Sequence, residues 1–181
     1  RGLEVQSWPA DSLLSQRARA LLAAPDGRIY LGLESGLARV DPASEPIRAV
    51  RLPGPAAPVV ALAWADDTLW WSAGSEVAAA DGRRLELPVS LAHGSCRALY
   101  AEGATLWVGH AAPAMSVLSA KGWRRFGPAD GLSADVFHVT RVAGDLYAAT
   151  SAGLYVHGCL GSGAEFAPVP GAPPGVVRAQ V

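Results

Sequence analysis

Short apolar runs bounded by turn residues fill this chain, and they return at a nearly fixed interval. An apolar segment comes first in each cycle: Ala18 to Ala23, Val59 to Trp64, Cys96 to Ala101 and Val136 to Val142. Small or acidic residues follow, at Pro25-Asp26-Gly27, Asp66-Asp67, Glu102-Gly103 and Ala143-Gly144, where a tight hairpin turn is expected. The next segment carries one large aromatic, and these markers, Tyr30, Trp70, Trp107 and Tyr147, stand 40, 37 and 40 residues apart. A further turn leads to a third strand, at Leu37 to Val40, Glu76 to Ala80, Met115 to Leu118 and Leu154 to Val156. Fourth strands are predicted at Ile47 to Leu52, Arg84 to Leu87, Trp123 to Phe126 and Glu165 to Val169.

Four antiparallel strands per unit of roughly 40 residues is the blade of a β-propeller. Helical repeats fit worse, because Gly and Pro punctuate the chain too often for helices of ten or more residues. A single blade cannot bury its own apolar faces, so neighbours must stack, and each marker aromatic is expected to wedge between adjacent blades. The fold class is therefore all-β, a β-propeller of about four blades. The units run approximately over 18–57, 58–95, 96–135 and 136–175. Leu3 to Trp8, within 1–17, resembles the outer strand of a preceding blade, and 176–181 the first strand of a following one. That reading makes the chain part of a larger ring, because a ring closes only when its sheets are complete. The rival is a self-contained four-bladed ring in which Leu3 to Trp8 closes the last blade.

Half of the residues are hydrophobic and only 17% are charged, which suits strands buried on both faces. A net charge of −1 and the lack of any Lys/Arg-rich run give no electrostatic basis for nucleic-acid or membrane-surface binding. No apolar run approaches the ~20 residues of a membrane span. The two cysteines, Cys96 and Cys159, lack the spacing of a zinc or redox motif. They are expected at opposite faces of the disc as free thiols, since a bridge needs Cα atoms within about 7 Å.

The run Trp123-Arg124-Arg125-Phe126-Gly127-Pro128-Ala129-Asp130-Gly131-Leu132-Ser133, then Gly144-Asp145-Leu146-Tyr147-Ala148-Ala149-Thr150 and Ala152-Gly153-Leu154-Tyr155, resembles the two-component regulator propeller repeat. That family pairs a "W…F…DGL" segment with a strand of the "G-x-LW-x-GT…GL" kind. The likeness extends to Asp26 through Leu37 and Thr105 through Gly109, whereas the second unit has Ser75-Glu76 in place of Gly-Leu. The resemblance implies a periplasmic or extracellular ring serving as ligand sensor or docking platform, often fused to signalling modules.

Candidate chemistry is dispersed. In the blade layout, His93 precedes a first strand and His110 ends a second, which puts both on one loop face together with Asp130, Asp135 and Glu34 from equivalent loops. Imidazole and carboxylate there suit a general base or a divalent cation, although no close-spaced HxH or HExxH pair is present. His138, mid-strand, is expected as a hydrogen-bonded core residue, and His157, at a strand end, to face solvent. Arg97 and Arg178 fall on innermost strands, where they line the central channel and either bind an anion or sit in structural ion pairs. The Gly-rich stretch Gly158 to Gly163 precedes several prolines, not a helix, and is a connector and not a phosphate loop. No GxSxG elbow anchors a hydrolase triad.

The expected function is a non-catalytic module that binds a small molecule or a protein partner. No cofactor, metal or catalytic residue is assigned. One alternative is a lyase-type enzyme using the face of His93 and His110. Another is a scaffold subunit that completes its sheet with remaining blades or another chain through exposed edge strands.

Overall fold

A computed structural model describes residues 13–44, 47–87, 95–158 and 165–175. Four separate four-stranded antiparallel sheets make up the architecture, each a meander of consecutive strands. The first blade comprises β1 (Ala18–Ala23), β2 (Ile29–Leu33), β3 (Gly36–Val40) and β4 (Ala49–Leu52). The second holds β5 (Ala61–Ala65), β6 (Thr68–Ala73), β7 (Glu76–Ala79) and β8 (Arg84–Leu85). The third is built from β9 (Cys96–Glu102), β10 (Thr105–His110), β11 (Met115–Ser119) and β12 (Gly122–Phe126). The fourth contains β13 (Val136–Val142), β14 (Asp145–Thr150), β15 (Gly153–His157) and β16 (Phe166–Pro168). The only helical turns among the described residues are short 3-10 pieces at Leu13–Ser15 and Pro128–Asp130. The chain is an all-β propeller, as its periodicity predicts.

Blades stack through apolar faces in sequence order. Tyr30, Leu37, Val59, Leu62, Leu69 and Trp71 pack the first blade on the second. Ala61, Ala63, Trp70, Val77, Cys96, Leu99 and Val108 join the second to the third. Trp107, Met115, Phe126, Leu132, Val136, Val139, Leu146 and Phe166 join the third to the fourth. The markers Tyr30, Trp70 and Trp107 thus each face the following blade and are buried. Tyr147 holds the same place in the fourth blade but is only half-buried, and Val142 of the same blade is 56% exposed. The far face of the first blade likewise leaves Leu21 49% exposed. Tyr30 also uses its polar end, donating from its hydroxyl to Asp26 Oδ2 at 2.8 Å and fastening the hairpin turn of its own blade.

Small residues set the spacing between blades. Two positions after the marker, Gly32 and Gly109 leave room for the residue that starts the next blade: an added Cβ would lie 2.5 Å from the Val59 carbonyl oxygen and 2.7 Å from Val136 Cγ1, respectively. Backbone bonds from Val59 N–H to Leu33 O (3.0 Å) and from Cys96 N–H to Gly74 O (2.7 Å) tie the second blade to the first and the third to the second. Ion pairs add bracing between the third and fourth blades: Arg141 to Glu102 at 2.8 Å on the inner strands, and Arg124 to Glu165 on the outer ones.

Two histidines depart from expectation. His138 is exposed, not core, because the register of β13 shifts between Val136 and His138. The bulge at Phe137 reverses the alternation that follows, so Val139 takes the inward place and His138 turns to the far face. His157 is not a solvent residue: its ring meets Trp107, Phe126 and Phe166 at 5.7, 5.4 and 4.9 Å between centroids. Burial holds its imidazole below the usual value, and Glu165, 3.7 Å from Nε2, opposes that effect.

Candidate functional site at the mouth of the inner strands

The innermost strands of the first, third and fourth blades start with the same irregularity. In β1 the pairing skips Arg19, with Ala18 opposite Leu33 and Ala20 opposite Gly32. In β9 it skips Arg97, between Cys96 and Ala98, and in β13 it skips Phe137. Val60 holds the corresponding place before β5: Val59 and Leu62 face the first blade while Ala61 and Ala63 face the third, so alternation breaks there too. A bulged residue belongs to neither stacked face and is aimed aside. The three bulges and this break in alternation present Arg19, Val60, Arg97 and Phe137 to one shared opening.

That opening is a cavity of about 790 Å³, lined by these four residues and by Pro58, Ala73, Gly74 and Ser95 among others. Clefts of about 220 and 210 Å³ elsewhere on the surface are much smaller. A volume near the upper end of the ~300–1,000 Å³ typical of small-molecule sites, with guanidinium and backbone polar groups set among apolar side chains, can hold a small ligand. Arg19 is held by Glu34 at 2.8 Å, both side chains remaining about one-third exposed. The Arg97 guanidinium lies over the Phe137 ring, its Cζ 5.3 Å from the centroid, and no carboxylate of the described residues lies within ion-pair distance of it.

Other candidate residues do not join this constellation. His110 ends β10 as expected, yet it is 1% exposed and faces the core, so it is not a residue of the open loop face. Its Nε2 bonds Ser116 Oγ at 2.8 Å. Burial, reinforced by the Arg125 charge, pushes its pKa down to about 4 and keeps it neutral. A buried imidazole engaged with Ser116 is poorly placed to take a proton from a substrate. Asp130 closes its own 3-10 turn, accepting the Gly127 N–H at 2.8 Å. Asp135 is fixed through its backbone, its N–H donating to Ser151 Oγ at 3.2 Å and its carbonyl accepting from Ser151 N–H at 3.0 Å. Cys96 backs the cavity wall as a free, buried thiol whose pKa is pushed up to about 11 by burial, the opposite of an activated nucleophile. His93, Arg178 and Cys159 lie outside the described residues.

Arg97 was legible from its inner-strand position, whereas Arg19 and Phe137 were missed. The available signal was their equivalence: Arg19, Val60, Arg97 and Phe137 each precede their marker aromatic by ten or eleven residues.

No known family profile matches the sequence, and no curated protein matches it either. Solved propellers do match the fold. The extracellular domain of the putative hybrid two component system BT4673 from B. thetaiotaomicron shares 18% identity over 94% of this chain and 24% of its own length, with a TM-score of 0.67. The WD40 β-propeller domain of Doa1 gives 12% identity, 91% and 58% coverage and a TM-score of 0.70. A catalytically inactive virginiamycin B lyase from Staphylococcus aureus, with quinupristin, gives 16% identity, 84% and 56% coverage and a TM-score of 0.61. The chain therefore spans less than two thirds of the length of each of these structures, and what it shares with them is the β-propeller fold.

Proposed function

We propose that this chain is a non-catalytic β-propeller binding module whose inner-strand cavity receives a small molecule or a projecting group of a protein partner. One observation carries the reading: a cavity of about 790 Å³ is lined by the equivalent inner-strand residue of every blade, whereas His110 and the acids proposed from sequence are turned inward, engaged locally or dispersed. Convergent side chains on rigid strands make a preorganised site, and preorganisation lowers the cost of binding. The sequence resemblance to sensor propellers agrees with this use, and it also carries the proposal of an extracytoplasmic setting. No helix among the described residues is long and apolar enough to cross a membrane. Exposed Leu21 and Val142 on the outer faces of the first and last blades favour coverage of those faces by further blades or another chain.

A fragment library screened by two-dimensional amide NMR tests the cavity. Binders are expected to shift the amides of Val60, Gly74, Ser95, Arg97 and Phe137 together. A screen whose binders cluster elsewhere, or turnover in a lyase panel that is lost on replacing His110, defeats the reading.

A further inference from the structure

Resting on the binding-module reading, the geometry points to a ligand class: we infer that the cavity is selective for a carboxylate carried on a flat apolar group. The protein as a whole is slightly acidic, with a net charge of −1, yet the bulges bring two guanidinium groups to this one opening. Arg19 already shares Glu34. Arg97 has no such partner among the described acids, and Phe137 supports its cation from one side. Guanidinium is always charged and offers a planar fork of donors that matches a carboxylate with two parallel bonds. A cation held over an aromatic face is also preoriented, so less rotamer freedom is lost when an anion arrives. Apolar side chains stand beside this fork: Pro58, Val60, Ala73 and the Phe137 ring suit the flat body of the ligand better than a fully hydrated ion. Glu34 limits the charge of the site, and its position beside Arg19 makes it a brake on anion affinity.

Benzoate, benzamide and inorganic phosphate separate the possibilities when each is titrated into the full chain and followed by amide NMR. Benzoate is expected to bind at the Arg97 and Phe137 amides at least tenfold more tightly than isosteric benzamide, and more tightly than phosphate. Arg97→Ala should remove the preference for benzoate, Arg97→Lys should keep part of it, and Glu34→Gln should tighten benzoate several-fold. Because Arg97 is exposed, its replacement leaves the core untouched, and unchanged chemical shifts elsewhere verify the fold. Equal affinity for benzoate and benzamide overturns the carboxylate assignment while leaving a cavity that binds neutral molecules. Phosphate binding as tightly as benzoate overturns the role of the apolar body. Benzoate binding that survives Arg97→Ala unchanged overturns the assignment of the residue.

Discussion

Gly109 and Val136 are in such close register that a single methyl group placed on the glycine would lie 2.7 Å from Val136 Cγ1. Gly32 stands in the same relation to Val59, with the obstructing atom a backbone oxygen at 2.5 Å. At these two interfaces the distance between blades is thus set by an absent side chain. Gly32→Ala and Gly109→Ala are expected to destabilise the protein by about 1–3 kcal/mol, the usual cost of overpacking. Gly127→Ala is the control, since its nearest obstacle is 3.6 Å away and its φ of −150° suits any residue. Urea unfolding of the three variants checks the order.

The marker aromatics should differ in worth according to what covers them. Trp107 is 7% exposed between the third and fourth blades, and Trp107→Ala is expected to cost about 3–5 kcal/mol. Tyr147, equivalent in sequence but only half-buried, should cost roughly half as much or less when replaced by Ala. Equal losses in the isolated chain would show that Tyr147 is covered.

Acid should weaken the interface of the second and third blades. The imidazole of His110 falls from an ordinary 6.5 to about 4 on folding, so the unfolded chain binds a proton over that interval while the native protein does not. Stability then rises with pH, is fully present above about pH 6.5, and is lost progressively on acidification toward pH 4. The loss is on the order of 3 kcal/mol. His110→Gln, which keeps a partner for Ser116, should flatten this part of the pH–stability curve relative to the parent protein.

Two hairpin turns carry avoidable strain. Asp66 and Asp67 both have positive φ, at 46° and 55°, and Ala143 has φ of 51°. Such turns favour glycine or asparagine. Asp67→Gly and Ala143→Gly are each expected to stabilise the protein by about 0.5–1 kcal/mol, as strain relief exceeds the added freedom of the unfolded chain. A rise in melting temperature is the readout.

Cys96 should resist thiol reagents while the protein is folded. Its thiol is buried and pushed up to about 11, so little thiolate is present near neutrality. In a Cys159→Ser background, labelling by a disulfide reagent should run at least tenfold slower in the native than in the unfolded protein. Fast native labelling would show that the cavity wall opens.

Strand identity was written locally. Apolar runs such as Val136 to Val142, turn residues such as Ala143-Gly144 and the recurring aromatics sufficed to predict four blades, because hydrophobic patterning and turn chemistry act within a few residues. The closeness of Gly109 to Val136, and of Gly32 to Val59, was not legible, since each depends on how two separated segments meet. The candidate site was less legible still. A simple alternating strand sends His138 inward, and a loop-face layout exposes His110; the bulge at Phe137 and the closeness of blade stacking decide otherwise. A bulge adds one residue without leaving a composition signal, yet it reverses the facing of every residue after it. Sequence by itself therefore determined the sheets and their number, whereas tertiary structure alone decided that Arg19, Val60, Arg97 and Phe137 share a cavity.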